Sequence, residues 1–166
     1  MTRIFATLAT IAMLTPFAAL ADAPTPLGPN NGQFGDWTAA TYGTGVTKIC
    51  YAFTKPQTTV PPMPARGLTM LTITERPGSH DEVSVTPGFT YPQTAVVSMQ
   101  LGRERLPFDV QDNVAFTDNV SQALAGFARE SQAVLTSTGP KGKKLTDTYS
   151  LSGFSAAYKA IVKGCP

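Results

Sequence analysis

Apolar and polar residues alternate with period two over a series of short stretches, residues 36–42, 47–53, 68–75, 82–91, 95–101, 105–110, 133–138 and 145–151. Each is rich in Val, Thr, Tyr or Phe and is bounded by Gly or Pro, the pattern of half-buried β-strands. The clearest hairpin lies in 95–110. Val97, Met99 and Leu101 alternate with polar residues before Gly102-Arg103, and Leu106, Phe108 and Val110 alternate after it. Gly102 suits the first central position of a type II′ turn. A second hairpin is predicted to turn at Gly139-Pro140-Lys141-Gly142, with Lys141, Lys143 and Lys144 at its tip.

Two segments change period. Val120, Leu124 and Phe127 follow helical spacing behind Asp118 or Asn119 as a cap, and Gly126 makes this a modest helix. Phe154, Ala157, Tyr158, Ile161 and Val162 fall at i, i+3, i+4, i+7 and i+8, with Ser152 as the predicted cap and Gly164 as the stop. Lys159 and Lys163 suit the negative end of the second helix. The predicted fold is mainly β: an antiparallel β-sandwich or barrel-like sheet with two short helices, the C-terminal helix packed on the sheet.

At the amino end Arg3 precedes an apolar run over 4–20, and Ala19-Leu20-Ala21 presents small residues where a signal peptidase reads them, with Ala23 as a second cut. Residues 1–21 are therefore expected to be a cleavable signal peptide. Pro16 and the threonines at 7, 10 and 15 weaken the competing reading, a membrane anchor, so no membrane span is expected after cleavage. Residues 22–33, rich in Pro, Gly and Asn, are expected to be a flexible leader, and 34–166 a single β-rich domain. The expected location is periplasmic or secreted.

That compartment changes the meaning of the only two cysteines, Cys50 and Cys165. In an oxidising environment an isolated pair in a small exported domain is read as one disulfide, and without CxxC spacing it is not read as a redox pair. Ile49, Tyr51 and Phe53 share one face of their strand and Cys50 points to the other. The terminal helix is thus expected to lie across the outside of this sheet and bring Cys165 to Cys50. The charges, 13 basic against 11 acidic residues, are dispersed apart from the lysine-bearing tip, and no nucleic-acid partner is expected.

Candidate chemistry is sparse. His80, the single histidine, sits in the turn-like Pro77-Gly78-Ser79-His80-Asp81 with no nucleophile motif and reads as a solvated loop residue. One His and two bridged cysteines cannot supply a usual zinc set, so no metal is predicted. Ser152-Gly153-Phe154-Ser155 stands at a strand–helix junction without forming a Gly-x-Ser-x-Gly elbow, and residues 139–144 fail as a phosphate loop. Asp81, Glu82, Asp109, Asp112 and Asp118 read as turn or cap residues. No catalytic residue and no cofactor are predicted, and a periplasmic hydrolase using carboxylates or His80 is the alternative. The longest irregular stretch, 55–67, sets Pro56, Pro61, Pro62 and Pro64 around Val60 and Met63. It is a candidate interaction loop, against the plainer reading of a solvated crossing between sheets.

Phe34-Gly35-Asp36-Trp37, then Cys50-Tyr51, then the terminal run from Thr146 to Ile161 resemble the invasion-associated locus B family of exported proteobacterial proteins. The stretch Leu151-Ser152-Gly153-Phe154-Ser155-Ala156-Ala157 is the most specific part. The resemblance implies a periplasmic or envelope-associated protein, linked in some pathogens to host-cell entry, with no reaction, cofactor or catalytic residue to carry over. Longer members have additional cysteines in the central region, where this chain reads Pro107-Phe108-Asp109-Val110-Gln111-Asp112-Asn113. The chain therefore resembles short, two-cysteine members. The expected function is that of a binding or interaction protein without catalytic activity, tied to host invasion or envelope maintenance through an envelope or host partner of unknown identity.

Overall fold

The computed structural model describes residues 23–166, and the signal peptide expected over 1–21 lies outside them. In chain order the elements are β1 (Thr25–Pro26), α1 (Pro29–Gly32), β2 (Gln33–Phe34), β3 (Trp37–Tyr42), β4 (Ile49–Thr54), β5 (Pro56–Val60), β6 (Met70–Arg76), β7 (Ser79–Thr86), β8 (Val97–Leu101), β9 (Glu104–Gln111), β10 (Val114–Phe116), α2 (Val120–Arg129), β11 (Gln132–Thr138), β12 (Lys144–Ser150) and α3 (Phe154–Gly164). All eight predicted strands and both predicted helices are present.

The strands pair antiparallel in the order β1-β3-β4-β6-β7-β10-β9-β8-β11-β12-β5, with β2 on β3, and the sheet curls into a half-barrel. Of the two predicted forms, the barrel-like one is found. The two halves share β9, whose residues 104–108 pair with β8 and whose residues 109–111 pair with β10. Its two-residue turn to β8 places Gly102 at φ +56° with Arg103 outside the left-handed region, as a type II′ turn requires. Lys55 alone separates β4 from β5, so the chain passes from one half of the sheet to the far edge of the other in one step.

The concave face is the core. Trp37, Ala39, Cys50, Ala52, Leu71, Ile73, Met99, Leu101, Leu135 and Tyr149 are buried there against Phe127 of α2 and Phe154, Ala157 and Ile161 of α3. Phe154 meets Trp37 edge-on at 5.2 Å between ring centroids and Phe127 at 5.3 Å. Burying side chains of this size contributes about 2 kcal/mol each.

Four expectations are corrected. First, α3 lies on the inner face of the sheet at Cys50, not the outer one. Period two separates two faces without saying which is inside. Ala39, Cys50 and Ala52 are small enough for the helix to seat, whereas Ile49, Tyr51 and Phe53 are only half-buried on the other face. Second, the described part of the expected leader 22–33, residues 23–33, is not free. Thr25 and Pro26 pair with Thr41 and Ala40, the Leu27 amide donates to the Ala39 carbonyl at 2.9 Å, and Leu27 packs on the core; proline is tolerated in such an edge strand. Between them α1 is a single turn with Asn30 and Asn31 in the left-handed region. Third, residues 56–60 of the supposed irregular crossing form β5, paired with β12. Fourth, Ser152 does not cap α3. Gly153 occupies the cap at φ +90°, and no side chain there bonds the helix end; Asn119 likewise precedes α2 without a side-chain cap bond.

Candidate functional site

The two sequence stretches that carry the resemblance meet in space. The Asp36 amide donates to the Ser152 carbonyl at 3.0 Å, the Trp37 indole N–H to the Ser150 carbonyl at 3.0 Å, and the Thr54 hydroxyl to the Asp36 carbonyl at 2.8 Å. Backbone approaches backbone so closely that a Cβ on Gly153 would lie 1.8 Å from the Phe34 carbonyl oxygen. A side chain there, or at Gly35, where a Cβ would lie 2.7 Å from the Ser152 carbonyl oxygen, would part the two segments, so these residues clasp the first long strand to the start of the last helix. At the other end of that helix Cys165 is bonded to Cys50, with 5.8 Å between their Cα atoms, and Lys48 Nζ donates to the Gly164 carbonyl at 2.6 Å. The expected disulfide is formed.

His80 lies at the start of β7 with its side chain half exposed. Its Nδ1 is 2.9 Å from Oε2 of Glu75, a carboxylate only 1% exposed. The Asp81 amide donates to the same oxygen at 3.4 Å, and the Tyr158 hydroxyl of α3 donates to Asp81 Oδ1. Burial pushes the Glu75 carboxyl above its ordinary range, and burial together with Asp81 pushes the Tyr158 hydroxyl up. His80 is thus more than a free loop residue: one hairpin supplies both it and its acid, and α3 is tied to that hairpin. Glu75 was not anticipated, although it shares strand parity with the inward Leu71 and Ile73, and an acid in an inward column was the available signal. Of the other candidate acids, Glu82 pairs with Arg76 at 2.8 Å, whereas Asp109, Asp112 and Asp118 are exposed.

A second buried polar group joins β12 to the segment after β5. Arg66 donates from Nη1 to Asp147 Oδ1 at 2.7 Å and from Nη2 to Oδ2 at 2.6 Å, a bidentate pair with the Asp147 side chain fully shielded. Thr59 donates to Asp147 Oδ1 at 2.6 Å, Arg66 Nε donates to the Pro87 carbonyl, and the guanidinium carbon sits 5.5 Å from the Phe89 ring centroid. The buried hydroxyls of Tyr91 and Tyr149 make no hydrogen bond to the described residues, and burial raises both. Arg66 was hidden in an irregular stretch. Asp147 was again an acid in an inward column, between Leu145 and Tyr149.

Val60 and Met63, the two residues of the candidate interaction loop, come together at the open end of β5. Val60 is 62% exposed. Met63 is half-buried and, with Pro61, Pro62, Pro140, Lys143 and Leu145, lines a pocket of about 180 Å³. A more open groove of about 320 Å³ runs beside β5 past Pro56, Thr59, Met63 and the exposed Leu68, with Lys55 at its head. The lysine-bearing tip of the β11–β12 hairpin therefore adjoins the loop, a proximity the sequence alone did not reveal.

A curled antiparallel half-barrel closed over its C-terminal helix, with one disulfide at the helix end, defines the structural class. Among solved structures the chain is similar to invasion associated protein B from Bartonella henselae, with a TM-score of 0.60 and 15% identity, covering 79% of this chain and 93% of that one. At that identity the likeness is one of fold, and it gives the resemblance read from the sequence a structural counterpart. No family model matches the chain, and no curated protein matches it in sequence. Among the described residues no helix is long and apolar enough to cross a membrane.

Proposed function

We propose that this protein is an exported, non-catalytic binding protein of the bacterial envelope that meets its partner through β5 and the Pro61–Met63 turn. The observation that carries the reading is the pocket behind Met63 together with the exposed Val60. An apolar cavity and an apolar residue stand side by side at the end of a strand, with Lys143 in the cavity's lining, the composition of a docking patch. The polar clusters support it from the other direction. Arg66 with Asp147, and Glu75 with His80, fasten elements to one another, which is work for the fold. The Cys50–Cys165 bond supports an oxidising compartment, and the fold shared with an invasion associated protein supports a role at the host-facing envelope.

Photo-crosslinking in living cells tests this. A photoreactive residue placed at Val60 or Met63 is expected to give discrete adducts. The same residue at Val46 or Val96, which are 90% and 72% exposed, is expected to give none. Adducts that form equally at all four positions, or at Val46 and Val96 alone, refute the assignment of this face.

A further inference from the structure

Resting on the reading of β5 and its neighbouring pocket as the interaction face, we infer that the partner is an extended, acidic polypeptide segment that adds as a strand to the free edge of β5 and sets one apolar side chain into the Met63 pocket. β5 ends the sheet order: it is hydrogen-bonded to β12 on one side, and no strand among the described residues pairs with the other. Gln57, Thr58 and Val60 are exposed along it. An open edge of this kind presents unpaired amides and carbonyls that an incoming segment of about five residues can satisfy, and main-chain pairing supplies affinity while side-chain pockets supply specificity. Pro56 and Pro61 bracket the edge and set the length of the pairing segment.

The charge around the edge selects the partner. Lys55 stands at one end of β5. At the other end Val60 lies opposite Thr146, so the exposed Lys143 and Lys144 are close by, with Lys141 beyond them. No acidic residue lines either the pocket or the groove, and the nearby Asp147 is shielded and neutralised by Arg66. At the Lys55 end the exposed Asp36 shares a cavity with Lys55 and Gln57, so the surplus of positive charge that an acidic strand meets lies at the lysine tip. A second copy of the chain does not fit as well: two β5 edges paired antiparallel would bring Lys55 of each toward the lysine tip of the other, an arrangement that like charges oppose.

The test uses the mature, disulfide-intact protein and a fluorescein-labelled nine-residue probe, alternating Thr and Val with one Leu and Asp at both ends. Its counterpart has Lys for every Asp, and vesicles containing phosphatidylglycerol form a third arm. Anisotropy is expected to show binding of the acidic probe alone, and hydrogen exchange is expected to show new protection at those amides of 57–60 that do not already bond to β12. Lys55→Glu with Lys143→Glu should weaken binding about tenfold, whereas Lys159→Glu, remote on α3, should leave it unchanged. Equal affinity for the two peptides, protection elsewhere, binding of the vesicles alone, or a dimer that protects 57–60 without probe each overturns the inference. Failure of the acidic probe with cross-links at Val60 and Met63 retained overturns the partner's chemistry and leaves the interaction face standing. Loss of both removes the face itself.

Discussion

Replacing both cysteines, Cys50→Ala with Cys165→Ala, is expected to weaken the fold substantially while leaving its topology intact. The bridge joins residues 115 apart, and in the chain-entropy model closing a loop of that length removes unfolded-state freedom worth about 5 kcal/mol. Both positions are buried, so loss of the sulfurs adds a small cavity cost of roughly 1 kcal/mol. Against this, α3 keeps Phe154, Ala157 and Ile161 packed on the sheet and keeps the clasp at Gly153, neither of which involves the bridge. The expected loss is about 4 to 6 kcal/mol, a large share of a typical domain's stability. With a urea m-value of about 2 kcal/mol/M, the midpoint should fall by about 2 to 3 M. The single tryptophan, Trp37, sits against Phe154 and Phe127, so its fluorescence reports directly on helix–sheet packing. A midpoint that moves by less than about 0.5 M would refute the reasoning. It would mean that the unfolded chain is already compact enough to hold the two ends together, leaving the bridge little entropy to remove.

The remaining predictions concern the groups that hold the half-barrel together. Gly153→Ala should cost more than about 3 kcal/mol or prevent folding, because strain at φ +90° is joined by overlap with the Phe34 carbonyl, whereas Gly78→Ala, at φ +79° with open space around it, should cost only about 1 kcal/mol; thermal unfolding of the two variants separates them. Arg66→Met or Asp147→Leu alone should cost about 3 to 5 kcal/mol by leaving a buried charge unpaired, and the double substitution should cost less than the sum, which a double-mutant cycle in urea measures. Burial raises the Glu75 carboxyl in the folded state above its unfolded value of about 4.3, so the folded protein binds the proton more tightly. Its contribution is then fully present below that value and is lost as pH rises through the raised folded one. Glu75→Gln should therefore gain stability relative to the wild type as pH climbs from 4 toward 7, read as the difference of their urea midpoints; a difference that is flat with pH contradicts it.

How much of this was legible in the sequence differs between elements and site. Period two in 95–110 with Gly102 at the turn, and period 3.6 in 154–162, depend on neighbours a few residues apart, so the β8–β9 hairpin and α3 could be read directly. β5 could not, because Pro56 and a run of polar residues carry no inward column, and its pairing is imposed by β12 almost ninety residues later. The interaction loop was visible as Val60 and Met63 among prolines, but its pocket needs Pro140, Lys143 and Leu145 from another hairpin. Glu75 and Asp147 break the inward columns of their strands, but their partners His80 and Arg66 are brought to them only by the fold.

The amino-acid sequence by itself determined the antiparallel β character, the two main helices and, through its only two cysteines, the one bridge that could form within the chain. Local periodicity and turn chemistry suffice for the first two, and a lone pair of cysteines leaves no choice for the third. Tertiary structure decided which face of β4 is inside, that the supposed leader is an edge strand, and that the basic hairpin tip stands beside the free edge of β5. These are matters of which surfaces fit together at a distance. Alternation along a strand is symmetric between its faces, and only the size of Ala39, Cys50 and Ala52 against the helix breaks that symmetry.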